Sequence, residues 1–329
     1  MPDALTIGEL LIDFVSTRKG VTLAESPAFE KKPGGAPANV AVGLARLGVP
    51  SGFVGKVGDD AFGVFLRNTL AEQGVDVTHL AATDQARTTL AFVSLTPDGS
   101  PDFAFYRHPG ADMLLCEADI DEEYHRGARA LHFGSISLAD AAPKAATLKA
   151  IGIARAGGQL ISYDPNYRPA LWPSPDAARR EILAGFAHAD VAKVSEEEWE
   201  LITGTTDLEA GSHVILERGV KLLVVSRGAD GCYVTTGSHT AWLDGYPVEV
   251  AEATGAGDGF VAALLSELLR DGVGPETVGA VPPERIDAIC DFANAVGALT
   301  CTKVGAIPAL PTRDAALRFW NERRRLSRN

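Results

Sequence analysis

Thr254-Gly255-Ala256-Gly257-Asp258-Gly259 runs without a break into Phe260-Val261-Ala262-Ala263-Leu264-Leu265-Ser266-Glu267-Leu268-Leu269, a glycine turn with one carboxylate that opens an apolar helical pattern. Glycines let a backbone turn its N–H groups outward, and the start of a helix adds partial positive charge, so the turn suits an anion. A lone Asp258 beside it can take a proton from a hydroxyl while the turn holds developing negative charge, which points to phosphoryl transfer. The plainer alternative is a tight turn whose acid satisfies the helix dipole. Either way, the helix start predicts an ionised and rather weak base at Asp258.

A second turn, Gly34-Gly35-Ala36-Pro37-Ala38-Asn39, precedes a helix with Val40, Leu44 and Leu47 on one face and Gly48 as its stop. Asn39 offers a donor and an acceptor to a polyol, although a simple helix cap would read the same way. Asp13 lies just past the first strand, where open α/β sheets bind ligands. Arg107 ends a hairpin pattern, and Arg168 follows a strand in Asp164-Pro165-Asn166-Tyr167-Arg168-Pro169. Each arginine can clamp an anion or hydroxyl cluster, or serve a structural ion pair. Lys193-Val194-Ser195-Glu196-Glu197-Glu198 also follows a strand, and its acids either favour the helix dipole or, at Glu198, organise Mg²⁺ through water.

Around these sites, β-rich runs near residues 5, 53, 132, 161, 192 and 223 alternate with helical patterns. The helices expected are Pro37 to Leu47, Ala61 to Gln73, Pro143 to Ala156, Glu196 to Thr203, Gly257 to Arg270 and Pro283 to Cys301. Such alternation predicts an α/β fold, a mostly parallel sheet with helices on both faces. Two segments break the rhythm, about 12–33 and 86–110; in the second, TTLAFVSL and PDFAFYR flank the turn TPDGS. They predict a small β-sheet lid inserted in a single domain over residues 1–329.

A chain of 329 residues, 46% hydrophobic and 22% charged, can bury a large core. The formal charge of −13 argues against general nucleic-acid or anionic-membrane binding, so an anionic substrate needs local arginines and helix ends. Cys116, Cys232, Cys290 and Cys301 lack metal-type spacing, and no signal or membrane-spanning run is present, which predicts a soluble, cytoplasmic protein. Neither a GxxxxGK[ST] loop nor a GxGxxG after an early strand occurs, so P-loop and standard dinucleotide chemistry are unsupported. The basic run Arg323-Arg324-Arg325 reads as a solvated helix end.

With these residues in place, the chain resembles the PfkB, or ribokinase-like, carbohydrate kinases from the first strand to Pro311. GGAPANVAVGLARLG is similar to the family's N-terminal signature and ATGAGDGFVAALL to its C-terminal one. FAFYRHPGADMLL, HFGSISL, DPNYRPALW, KVSEEEWELITG and FANAVGALTCTKVGAIPALP look like fructokinase sequence within that family. The resemblance implies a three-layer α/β/α Rossmann-like core with a β lid, ATP and Mg²⁺ as co-substrates, and phosphorylation of fructose at O6. It implies Asp258 as base, Gly255, Ala256 and Gly257 as anion hole, and Arg168 toward the phosphoryl path. Sugar contacts would be Asp13, Gly34, Gly35 and Asn39, with Arg107 near the sugar. Nucleotide contacts would be Lys193, Ser226, Arg227, Gly228 and Gly231, with Asn294 and Gly305 beside the adenine. Two departures stand out: Ser195 where relatives carry Asn in Asn-x-x-Glu, and Glu252-Ala253-Thr254 where relatives often have Asp-Thr-Thr, which puts K⁺ activation in question. A 2-keto-3-deoxygluconate kinase is the neighbouring alternative, and a non-catalytic sugar or nucleotide sensor the alternative of another class. An exposed lid hairpin predicts a homodimer through paired lids.

Overall fold

Near-continuous apolar strands of the kind found in LISYD and VAKVS belong in a sheet covered on both sides, and the computed structural model, which describes residues 1–95 and 101–326, builds that sheet. The turn at 96–100 expected to close the hairpin lies outside the described residues. In chain order the strands are β1 (Ala4–Ile7), β2 (Leu11–Ser16), β3 (Phe29–Gly34), β4 (Ser51–Gly58), β5 (Leu80–Thr83), β6 (Leu90–Leu95), β7 (Pro101–Tyr106), β8 (Ala130–Gly134), β9 (Leu160–Asp164), β10 (Val191–Ser195), β11 (Leu222–Ser226), β12 (Cys232–Thr235) and β13 (Thr240–Leu243).

Nine of them form one sheet in the order β13-β12-β11-β10-β9-β8-β1-β4-β5. It is parallel from β11 to β5, and the β12–β13 hairpin adds an antiparallel edge. Side chains alternate between its faces. Ile161, Tyr163, Ala192 and Val194 pack under the helices Ala141–Ala156, Pro175–Phe186, Glu196–Thr203 and Leu208–Leu216. Leu160, Val191, Leu222 and Val224 pack under Ala36–Arg46, Ala256–Arg270 and Pro283–Thr300. The result is the three-layer α/β/α core expected from the alternation. β1 has β4 on one side and β8 on the other, so strand order reverses there and a crevice opens beyond the carboxyl ends of the strands.

The remaining four strands form a second sheet, β3-β2-β6-β7, with β2 and β6 parallel and the outer pairs antiparallel. Phe92 stacks on Phe14 at 5.0 Å between centroids and meets Phe29 and Tyr106 edge-on. The strand expected near residue 5 ends at Ile7, and β2, which starts at Leu11, belongs with β3 to the other sheet, in the segment of about 12–33 expected to form the lid. Only Gly8 and Glu9 interrupt the apolar residues there, too short a gap for periodicity to fix the strand ends. Gly8 permits the break, since a Cβ there would lie 2.7 Å from Pro37 Cγ. Among the described residues, three helices of eight residues or more beyond those expected occur at Pro175–Phe186, Leu208–Leu216 and Arg313–Leu326, with two short ones at Glu122–Arg126 and Ala306–Ala309. Ser174 and Asp207 cap Pro175–Phe186 and Leu208–Leu216 through Ala177 N–H and Ala210 N–H. Arg323 and Arg324 lie over Phe319 and Trp320, so the end of Arg313–Leu326 packs on aromatic rings besides meeting solvent. Among the described residues no helix is long and apolar enough to cross a membrane.

Candidate active site

The two glycine turns, far apart in sequence, meet. Asn39, in the first turn of Ala36–Arg46, donates from Nδ2 to Asp258 Oδ2 at 2.8 Å, and Asp258 is only 8% exposed. Asn39 Oδ1 is buried with no donor among the described residues, which leaves an acceptor open to a ligand hydroxyl. Gly255 caps the helix Ala256–Arg270 at φ +83°, and a Cβ there would lie 2.8 Å from Ala306 Cβ, so glycine is required twice over. Among the described residues, neither the Gly257 nor the Asp258 N–H has an acceptor in the protein. These are the donors an incoming anion meets.

Helix-start charge does not dominate Asp258, contrary to the expectation of a weak base. Burial pushes its carboxyl up to about 6, while the bond from Asn39 and the cations Lys193 and Arg168 only partly offset that and Asp164 adds repulsion. The outcome is a stronger base that is still ionised at neutral pH.

Asp13 extends from β2 over the Gly34 end of β3, and a Cβ on Gly34 would overlap its Oδ2. Burial, together with like charges on Glu252 and Asp258, pushes Asp13 up to about 7, opposed by Arg168. The exposed Arg168 guanidinium acts on both Asp13 and Asp258 and, among the described residues, donates only to Tyr167 O, at 3.1 Å. These three groups therefore share one electrostatic space.

Lys193 lies on the sheet face of Val191, beneath Ala256–Arg270. Its Nζ is 3.1 Å from Asp164 Oδ2 and 3.0 Å from the point where a Cβ of Gly257 would sit. The Asp164, Glu198 and Asp258 charges raise its pKa against the effect of burial, so the cation persists beside the Gly255–Asp258 turn. Glu198 engages both of its oxygens within the protein: Oε2 accepts from Ser195 N–H at 2.9 Å and Oγ at 2.8 Å, and Oε1 accepts from Tyr167 N–H. Ser195, the departure from Asn, is thus the cap of that helix.

Ser226 ends β11, and Gly228 at φ +56° and Gly231 at φ +87° follow it. A Cβ on Gly231 would overlap the Leu243 carbonyl, and Asn294 donates to the Leu243 and Asp244 carbonyls at 3.4 and 3.3 Å. Gly231 and Asn294 therefore converge on one short segment. Arg227 lies over Trp242 at 4.9 Å and reaches Glu196 at 3.4 Å. Gly305 donates its N–H to Glu252 Oε2 at 2.8 Å, on the side of the Gly255–Asp258 turn. Arg107 is buried and committed to Asp112 at 2.8 Å and Asp140 at 3.1 Å. It stands behind the Gly34–Gly35 turn, among carboxylates.

Two residues of this site were not singled out from sequence. Asp164 had a usable signal, an acid at the carboxyl end of a parallel strand. Glu9 had none, because its partner, Ala36, is brought back only by folding. Among the described residues no three His, Cys, Asp or Glu side chains cluster as a metal cage. The carboxylates around the crevice suit a hydrated Mg²⁺ carried on phosphates, which needs few protein ligands.

The chain matches the pfkB family carbohydrate kinase model over residues 1–313. It is 47% identical over 312 residues to the probable fructokinase-7 of Arabidopsis thaliana, covering 94% of this chain and 89% of that protein. Among solved structures it is similar to the ATP-bound fructokinase of Xylella fastidiosa, with a TM-score of 0.90, 34% identity, and coverage of 98% and 99% of the two chains. The fructokinase of Vibrio cholerae O395 in its fructose-, ADP- and calcium-bound form is similar with a TM-score of 0.86, 34% identity, and coverage of 97% and 99%.

Proposed function

Because this chain belongs to the pfkB family of carbohydrate kinases, we propose that it is an ATP-dependent fructokinase that transfers the γ-phosphoryl group of ATP to O6 of D-fructose. The observation that carries the chemistry is the buried Asp258, raised to about 6 and held by Asn39 of the opposite turn. Asp13 and Asn39 accept and donate to sugar hydroxyls and fix O6 beside Asp258, which takes its proton as the phosphorus–oxygen bond forms. The open N–H groups of Gly257 and Asp258, with Lys193 and Arg168, hold the charge that spreads over the phosphoryl oxygens. Bound Mg²⁺ supplies neutralisation of the nucleotide phosphates, and Glu198 is the residue we assign to its water shell. Ser226 to Gly231 and Asn294 form the nucleotide side. The second sheet is the lid, closing over the sugar to exclude water.

Locking Arg107 between Asp112 and Asp140 removes one of the two arginines that a keto-acid substrate would need, which favours the neutral sugar. The test is ADP release with ATP and Mg²⁺ against fructose, 2-keto-3-deoxygluconate, ribose, glucose and mannose. Fructose-dependent turnover is expected. A preference for the keto-acid would transfer the reading to that substrate, and no turnover on any sugar by a folded, ATP-binding protein would favour a sensor. The reading places the enzyme in the cytoplasm as a homodimer, with exposed Tyr106 on β7 at the pairing edge; a monomeric mass in solution would count against the dimer.

A further inference from the structure

The helix Ala36–Arg46 starts at a residue that cannot cap it. Gly35 has no side chain, sits at φ +110°, and has no room for one, because a Cβ would overlap the Glu9 carbonyl. Pro37 brings no N–H, and Ala36 N–H would be left without an acceptor. That acceptor comes from the link between β1 and β2, which runs against Gly35: Glu9 Oε1 takes the Ala36 N–H at 3.0 Å. Glu9 is 4% exposed, and its second oxygen, Oε2, is buried without a donor. Arg107 and Asp112 lie close enough to act on its charge, and the three line one enclosed gap with Gly8.

We propose that Glu9 is a positioning residue for sugar binding, a helix cap delivered from the end of β1 that fixes the Gly35–Ala36 peptide and so aims Asn39 at the substrate and at Asp258. The inference rests on the fructokinase reading for its substrate. A cap built into the turn would put a side chain where the sugar must approach; a cap from Glu9 leaves the turn bare. Asn39, one helical turn further on, keeps its direction only if this first peptide is held. Burial pushes Glu9 up to about 7, so a neutral amide can replace it without removing a charge that the turn requires.

The test compares Glu9→Ala and Glu9→Gln in the full chain by steady-state kinetics and by amide hydrogen exchange over residues 36–40. Glu9→Ala is expected to raise the KM for fructose about tenfold or more, the factor carried by leaving one donor without its acceptor, while the KM for ATP stays within about twofold. Exchange at 36–40 should accelerate in the same variant. Glu9→Gln, which keeps the acceptor, should bring the fructose KM to within about threefold of wild type and restore the slow exchange. Equal impairment by both variants, an equal rise in both KM values, or unchanged exchange in Glu9→Ala would overturn the proposal. A wild-type enzyme silent on fructose would fail the substrate reading alone, since the exchange comparison still decides the cap.

Discussion

The two glycine turns that meet at Asp258 begin alike and finish differently. Each has a glycine of positive φ at the N-cap, and neither has a side-chain cap of its own. At Gly35 the first helical N–H is closed off by Glu9, and the turn offers its ligand side chains: Asn39, with Asp13 against Gly34. At Gly255 only Ala256 N–H turns back, to Ala253 O at 3.2 Å, and the next two N–H groups stay open. A neutral polyol is recognised by directional side-chain donors and acceptors on a rigid turn, whereas an anion is held by bare backbone donors at a helix start. Under the proposed function, one motif type serves two chemistries, according to what closes its first turn.

The sharpest break in this comparison is at the shared residue. Asp258→Asn should lower kcat by about 10² or more while the fold persists, because Asn can still pair with Asn39. Turnover within about tenfold of wild type would remove Asp258 from the role of base.

Adding one methyl to each turn should separate the two functions. In Gly34→Ala the Cβ must displace the Asp13 carboxylate, and we expect the KM for fructose to rise about tenfold or more with kcat less affected. In Gly257→Ala the Cβ presses on Lys193 Nζ, 3.0 Å away, and the loss should fall on kcat. Identical kinetic signatures from the two variants would erase the distinction between the turns.

The smallest effect is in pH dependence. With Asp258 raised to about 6 and Asp13 to about 7, kcat/KM should fall as pH drops through 7 to 6. Asn39→Ala removes the bond that lowers Asp258 and should move that limb upward. Stability should run the opposite way. Folded carboxyls with raised pKa values bind protons more tightly than the unfolded chain, so their contribution is full below the unfolded values and is lost as pH rises through about 6 to 7. Thermal unfolding at pH 5.5 and pH 8 should therefore show a smaller gain from Asp258→Asn at the lower pH, with about 1 kcal/mol or more of stabilisation at pH 8. An Asn variant that is less stable than wild type at pH 8 would contradict the burial cost at Asp258.

Much of the fold could be read in advance because strand and helix periods are local. The parallel core, the turn before Phe260 and the turn before Val40 all follow from residue patterns a few positions long. The segment of about 12–33 stood out as separate from the main sheet, but the start of β2 at Leu11 could not be read, since only Gly8 and Glu9 part it from the apolar residues of β1. Asp258 shows the same limit at the site: its helix-start position is visible in sequence, but its raised pKa comes from surroundings that fold around it from distant segments. Arg107 looked available as a clamp until Asp112 and Asp140 closed on it.

The sequence by itself determined the α/β alternation, the two glycine turns and the identity of Asp258, because glycine conformation, helix starts and hydrophobic period are properties of neighbouring residues. Only the tertiary structure decided that Asn39 reaches Asp258 across 219 positions, that Lys193 stands under Gly257, and that Glu9 closes the turn at Ala36. Those contacts depend on the order and register of strands in the sheet, and burial, which sets the charge on each group, exists only once the layers have packed.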